Sequence, residues 1–145
     1  MKEWRKDFMI STIVTEIFVK VLNEYLVSQA GNLRVGVGTG EATWDTALPV
    51  LSPGVGGLFR EVANKPIQSI HFIDPSTGEV SNEPTTVLKI TSQEFTESDY
   101  AGDIRECALF LNTPLGPRML LCSVFDKVNL GEGTVFQKTY NINPY

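Results

Sequence analysis

Apolar residues near the start of the chain recur every three or four positions, which is the spacing of one face of an α-helix. Ser11 or Thr12 is placed to cap the start of this helix, and Gly31 to end it. We therefore predict an amphipathic helix over residues 11–29, packed under a sheet or against a neighbouring subunit. Its apolar positions are Ile10, Ile13, Val14, Ile17, Phe18, Val21, Leu22 and Tyr25.

After Gly31 the pattern changes to short apolar or alternating segments separated by turn residues, which is typical of β-strands. The Asp-Pro-Ser-Thr-Gly sequence at residues 74–78 has strong turn chemistry. The last forty residues predict an antiparallel meander, with turns at residues 112–117 and 129–133. The predicted strands cover residues 33–37, 58–63, 67–74, 85–92, 105–111, 119–125 and 134–142.

One helix with six or seven strands predicts a mainly β fold, namely an antiparallel, jelly-roll-like β-sandwich with one N-terminal amphipathic α-helix. A chain of 145 residues is long enough for one domain. Within it we assign residues 1–30 to an N-terminal arm and helix, and residues 31–145 to the sandwich. The connection over residues 38–57 is long and irregular, which favours a role in binding or contact.

Charge and composition narrow the range of possible functions. The net charge is −5, and the twelve basic residues are scattered, so we expect no nucleic-acid partner. Charged residues interrupt the apolar run over residues 8–27, so we expect no membrane span. Cys107 and Cys122 are too few for a disulfide framework, and two unbridged thiols are favoured over a bridge between neighbouring strands.

No group of residues has the pattern of a catalytic, metal or cofactor site. The repeat Gly36-Val-Gly38-Thr-Gly40 has the wrong spacing for a dinucleotide loop, and a bend after a strand is the better interpretation. His71 has no second histidine with which to share a metal ion. The acidic residues between the predicted strands 85–92 and 105–111 are expected to be solvated. They are Glu94, Glu97, Asp99 and Asp103. We therefore predict that the protein is not an enzyme and carries no cofactor.

Large aromatic and basic side chains lie in the two segments that lack a predicted regular structure. Trp4, Arg5 and Phe8 precede the helix, and Trp44 lies in the long connection. Such side chains are enriched at the energetic centres of protein interfaces. We predict these four residues as partner-interface residues, with packing inside the same subunit as the alternative.

Several segments together resemble a group of small structural virion proteins of tailed bacteriophages. The first half carries Val-Gly-Val-Gly-Thr-Gly at residues 35–40, Thr-Ala-Leu at 46–48 and then Arg60. The second half carries Glu-x-x-Leu-Phe at 106–110, Met-Leu at 119–120, Val-Phe at 124–125 and a closing strand at 133–142 that begins with Gly-Thr and ends with Tyr-x-Ile. The chain departs from the group's pattern at Ala108, where glycine is more usual, and in its strongly amphipathic helix.

The resemblance implies a structural, non-catalytic role in a virion, after synthesis in the host cytoplasm. A capsid decoration or cement protein is preferred, binding other virion proteins as a homo-oligomer, for example a trimer. A tail, neck or baseplate adaptor is the alternative within this class. A small-ligand or glycan-binding β-sandwich is the alternative outside it.

Overall fold

The computed structural model describes residues 12–144. Within them, one α-helix precedes seven β-strands. The helix α1 spans Glu16–Ser28, and short 3-10 turns lie at Ala30–Asn32 and Ala42–Asp45. The strands are β1 Leu33–Gly38, β2 Glu61–Ile73, β3 Val80–Ser81, β4 Val87–Ser92, β5 Gly102–Thr113, β6 Gly116–Leu130 and β7 Thr139–Ile142.

The strands form an antiparallel, curled sheet in the order β6-β5-β1-β2-β4-β7, and β3 pairs with β2. The long strand β2 belongs to both halves of the sheet: its first part pairs with β1 and its second part with β4. The register shifts between Ile67 and Ser69, where β2 changes partner. Over residues 12–144 the fold is therefore mainly β with one helix, as predicted, and the sheet closes about half of a barrel.

The core lies inside this curl. Fully buried residues of β1 and β5 alternate along the inner face of the sheet, and they include Val35, Val37, Cys107 and Leu109. The two sides of the curl meet where the ring of Phe125 from β6 stacks on Phe136, just before β7, with 5.4 Å between the ring centroids. Burial of this apolar surface supplies the main driving force for the fold.

The helix is shorter than predicted. Thr15 is its N-cap, and its side-chain oxygen accepts a hydrogen bond from the backbone N–H of Phe18 at 3.2 Å. The predicted cap Thr12 is therefore wrong, and the alternative cap Ser11 lies outside the described residues. The predicted end at Gly31 is also wrong, because α1 ends at Ser28 and Gly31 lies in the 3-10 turn that follows.

The helix packs on the sheet through a face other than the one that its periodicity indicates. Val19 and Asn23 are its buried residues, and the Asn23 side chain donates a hydrogen bond to the backbone oxygen of Thr85 at 2.8 Å. By contrast, Ile17 is 72% exposed and Phe18 is 55% exposed. The rest of the described subunit therefore does not cover Ile17 and Phe18, and the other predicted covering, a neighbouring subunit, stays a prediction.

Four of the predicted strands also have different bounds in the structure. The predicted strands 58–63 and 67–74 are one continuous strand, β2. The predicted strand 134–142 shortens to β7, with an isolated bridge between Phe95 and Phe136 before it. The strand predicted at 119–125 lengthens to the fifteen residues of β6, which forms one edge of the sheet.

Candidate functional site

Residues 39–60 connect β1 to β2, and we call them the β1–β2 loop. The buried carboxylate of Glu106 on β5 holds the backbone of this loop against the sheet. Its Oε2 accepts hydrogen bonds from the backbone N–H groups of Gly40 at 2.8 Å and Arg60 at 3.2 Å. Its Oε1 accepts one from the N–H of Phe59 at 2.6 Å. Glu106 is only 2% exposed, and it thus ties both ends of the loop to the sheet.

The glycine repeat of β1 makes room for this carboxylate. Gly38 pairs with Glu106 across the sheet, and a Cβ atom on Gly38 would lie 2.8 Å from the Glu106 carboxyl carbon. Gly40 has a φ of +55°, and the ring of Trp44 lies directly against its α-carbon. A side chain at either position would displace the loop. The repeat therefore serves close packing, in agreement with the predicted bend after a strand.

Arg105, the neighbour of Glu106 on β5, provides a second anchor for the loop. Its Nε and Nη2 donate to the two carboxylate oxygens of Asp45 at 2.8 and 2.9 Å, and its Nη1 donates to the backbone oxygen of Thr39 at 3.1 Å. This two-bond pairing is the geometry in which arginine holds a carboxylate most firmly. The hydrogen bond from Arg105 holds the pKa of Asp45 below its ordinary value. The loop is therefore anchored at its start, at its 3-10 turn and at its end.

Between these anchors the loop exposes apolar side chains to solvent. Val50 is 97% exposed, and four further large apolar side chains of the loop are also exposed. Beneath them is an apolar cavity of about 220 Å³, and Cys122 and Val124 of β6 line its floor. Apolar side chains that face water are stabilised when a partner covers them, so the loop is a candidate contact surface. The exposed apolar residues of the loop are Leu48, Val50, Leu51, Val55 and Phe59.

Trp44, a predicted interface residue, lies half-buried in this loop. Its ring packs over Gly40 and against the ring of Phe59, with 5.7 Å between the ring centroids. It therefore makes contacts within the subunit and still presents part of its surface to solvent. The other three predicted interface residues, Trp4, Arg5 and Phe8, lie outside the described residues.

The residues considered for chemistry are spread over the fold. His71 is an exposed residue of β2. Glu94 and Glu97 are exposed, whereas Asp99 forms an ion pair with Lys65 at 2.8 Å. The hydrogen bond from Lys65 lowers the pKa of Asp99. The expectation that this whole group is simply solvated therefore needs correction at Asp99.

Asp103, the last of the acidic residues, belongs to β5 and not to the loop before it. It accepts a hydrogen bond from the side chain of Asn129 at 2.9 Å and lies 3.7 Å from the guanidinium of Arg105. Within residues 12–144, no group of three or more His, Cys, Asp or Glu side chains is arranged to hold a metal ion.

The two cysteines are free, as predicted, although they lie on neighbouring strands. Cys107 is buried in the core with its sulfur 3.4 Å from the hydroxyl of Tyr140, while Cys122 is half-buried beside the cavity. Burial raises the pKa of both thiols and that of Tyr140.

Sequence reasoning missed Glu106 and Arg105 as the residues that organise the loop. A signal was present: Glu106 is a lone acidic residue before the apolar run Cys-Ala-Leu-Phe-Leu, and such a residue needs partners if its strand is buried. Its partners could not be named without knowing that β5 pairs with the glycine-rich strand β1.

Comparison of the chain with protein-family models and with curated proteins gives no match. In the part of the chain that the structure describes, no helix has the length and apolar character needed to cross a membrane. The geometry of the loop and its anchors is therefore the basis for a functional proposal.

Proposed function

We propose that this chain is a structural component of a tailed-bacteriophage particle and that it acts through protein–protein contacts, with the β1–β2 loop as its main contact surface. The virion assignment rests on the sequence resemblance, and the observation that carries the contact role is an exposed apolar loop held by a buried carboxylate. A flexible loop would lose conformational freedom on binding, whereas this loop is already ordered by Glu106 and Arg105. Pre-ordering of this kind lowers the cost of association.

Within the particle, we favour the position of a capsid decoration or cement protein. Such a protein binds the assembled shell and not its separate subunits, so its binding shifts the equilibrium toward the shell. The two-layer, jelly-roll-like sandwich that the sequence predicts remains part of this proposal. The alternative within the class is a tail, neck or baseplate adaptor, which would use the same loop against a different partner.

The cavity beneath the loop favours a second candidate function, the binding of a small ligand or glycan. Its lining is largely apolar, and its volume of about 220 Å³ lies below the roughly 300–1,000 Å³ of typical small-molecule sites. Leu51, Val55 and Phe59 line this cavity, whereas Leu48 and the almost fully exposed Val50 lie outside it and are free to contact a flat partner. We therefore favour the protein-contact function.

The proposal is tested by locating the chain in particles purified from cells that carry its gene. Heads and tails are separated by sedimentation, and the chain is quantified in each fraction by mass spectrometry against the major capsid protein. We expect many copies in the head fraction. Copies confined to the tail fraction would support the adaptor alternative, whereas particles without the chain would refute a structural role. A glycan array probed with the purified chain tests the ligand-binding candidate separately.

A further inference from the structure

Within residues 12–144, the helix α1 presents an apolar surface that the rest of the fold leaves exposed. We call this surface the helix face; it consists of Ile17, Phe18, Val21, Leu22 and Tyr25. It is distinct from the narrow side on which Val19, Asn23 and Leu26 contact the rest of the fold. A helix that is apolar on two sides is typical of one packed between two partners.

The area of the helix face lies at the upper end of the range of apolar patches on monomers and approaches one side of a specific protein interface. If a large apolar side chain exposes about 200 Å² when fully accessible, the exposed fractions of the five residues give roughly 570 Å². The largest apolar patch of a typical monomer is about 300–600 Å². A stable interface buries about 800 Å² on each partner, so the helix face alone supplies most of one side.

The surface also has a shape that can complement itself. Its C-terminal half borders an apolar cleft of about 270 Å³ between the helix and the sheet, and Leu109, Leu121 and Ile142 line the sheet side of that cleft. Its N-terminal half carries the protruding side chains Ile17 and Phe18. Ridge and cleft lie about two helical turns apart on one surface. Two copies related by a two-fold axis would therefore each place a ridge in the partner's cleft.

We propose that the helix face binds a second copy of this chain, with the two α1 helices packed antiparallel about a two-fold axis near Val21. Val21 lies midway between Phe18 and Tyr25, so the Phe18 ring of one copy meets Tyr25 and the cleft of the other. The pairing uses a surface separate from the β1–β2 loop. Its failure would consequently leave the virion proposal intact, and failure of the virion proposal would leave the pairing intact.

Sedimentation velocity over a wide range of concentration tests the pairing. We expect a species of twice the 16.0 kDa chain mass that dissociates on dilution. The double variant Ile17→Glu/Val21→Glu places like charges across the two-fold axis, which costs several kcal/mol. It should raise the dissociation constant at least about 100-fold, while circular dichroism shows an unchanged fold. The matched control is Leu115→Glu, which changes an 83% exposed residue in the turn between β5 and β6 and should leave the mass unchanged.

A cysteine variant tests the orientation. In an antiparallel pair, Val21→Cys brings two thiols together across the axis, and mild oxidation should give a covalent dimer on a non-reducing gel. The parent chain and Leu115→Cys, treated in the same way, are the controls for cross-linking at Cys107, Cys122 or random collisions. A monomer at all concentrations, an oligomer of another order, or a dimer that persists in the double variant would overturn the proposal.

Discussion

Replacement of Glu106 by glutamine is expected to destabilise the fold and release the β1–β2 loop. Glutamine keeps the size of the side chain, but it loses the charge and one acceptor oxygen. If the amide oxygen of the glutamine takes the place of Oε2, the backbone N–H of Phe59 faces the amide NH₂ group and loses its acceptor. If the amide is flipped, the backbone N–H groups of Gly40 and Arg60 face the NH₂ group instead. In either case at least one backbone donor loses its partner.

The magnitude follows from these bonds. A buried donor without a partner costs about 1–3 kcal/mol, and hydrogen bonds to a neutral acceptor are weaker than those to a carboxylate. Because the groups at Phe59 and Arg60 are only partly buried, water recovers some of the loss. We therefore expect the free energy of unfolding to fall by about 2–4 kcal/mol. At a slope of about 2 kcal/mol per molar urea, the unfolding midpoint falls by about 1–2 M.

Urea unfolding at pH 7 measures the stability, and amide hydrogen exchange measures the loop directly. The N–H groups of Gly40, Phe59 and Arg60 should lose protection before the core strands do. Glu97→Gln is the matched control because this side chain is exposed, and it should change stability by less than about 0.5 kcal/mol. If Glu106→Gln unfolds like the parent and the three amides stay protected, the carboxylate does not hold the loop.

Four further changes test the packing and the electrostatics of the fold. Gly38→Ala should cost about 1–3 kcal/mol by urea unfolding, because the new methyl group meets the buried carboxylate. Leu109→Ala should cost about 2–5 kcal/mol by the same measurement, since this core side chain is fully buried. Trp44→Ala, which empties a half-buried position, should cost about 1–3 kcal/mol and leave the circular dichroism spectrum of a folded β protein. The pKa values of Cys107 and Tyr140 are raised in the folded chain, so the unfolded chain loses these protons at a lower pH. Below about pH 8 both states keep the protons, and these two groups should leave the stability independent of pH. Above that pH, the midpoint of thermal unfolding should fall as the pH rises.

The strands that the sequence predicts best are those in which the alternation of apolar residues along the chain matches the alternation of side chains between the two faces of the sheet. In β1 and β5, inward Val and Leu side chains alternate with residues of the outer face, and both strands lie within about three residues of their predicted bounds. The sequence predicts β2 as two strands, 58–63 and 67–74, and Pro66 lies between them. In the structure, Pro66 is the last residue of the β1 pairing and precedes the bulge where β2 changes partner, and proline is tolerated beside such irregularities.

The role of the helix could not be predicted from periodicity. The spacing of Ile17, Val21 and Tyr25 identifies an apolar face but does not say which molecule covers it. The subunit instead buries Val19 and Asn23. A hydrophobicity pattern counts Asn23 as an exposed polar residue, although its side-chain amide donates a hydrogen bond to the backbone oxygen of Thr85. A side chain that is buried because it has a specific hydrogen-bond partner can be recognised only once that partner's position is known.

The site was predicted in part. The length of the connection and the presence of Trp44 indicated the β1–β2 loop, because irregular segments of that length usually have a contact role. Its anchors were not predicted, since Glu106 and Gly40 are 66 residues apart and meet only through the pairing of β1 with β5.

The most direct test of the central claim is the occupancy of loop variants on purified particles. Val50→Asp changes a side chain that is 97% exposed, and Leu115→Asp changes a comparably exposed one in the turn between β5 and β6. Neither should alter thermal unfolding of the isolated chain. We expect Val50→Asp to reduce the copies per particle at least tenfold and Leu115→Asp to incorporate like the parent. Normal incorporation of Val50→Asp, or equal loss in both variants, would contradict the assignment of the β1–β2 loop as the contact surface.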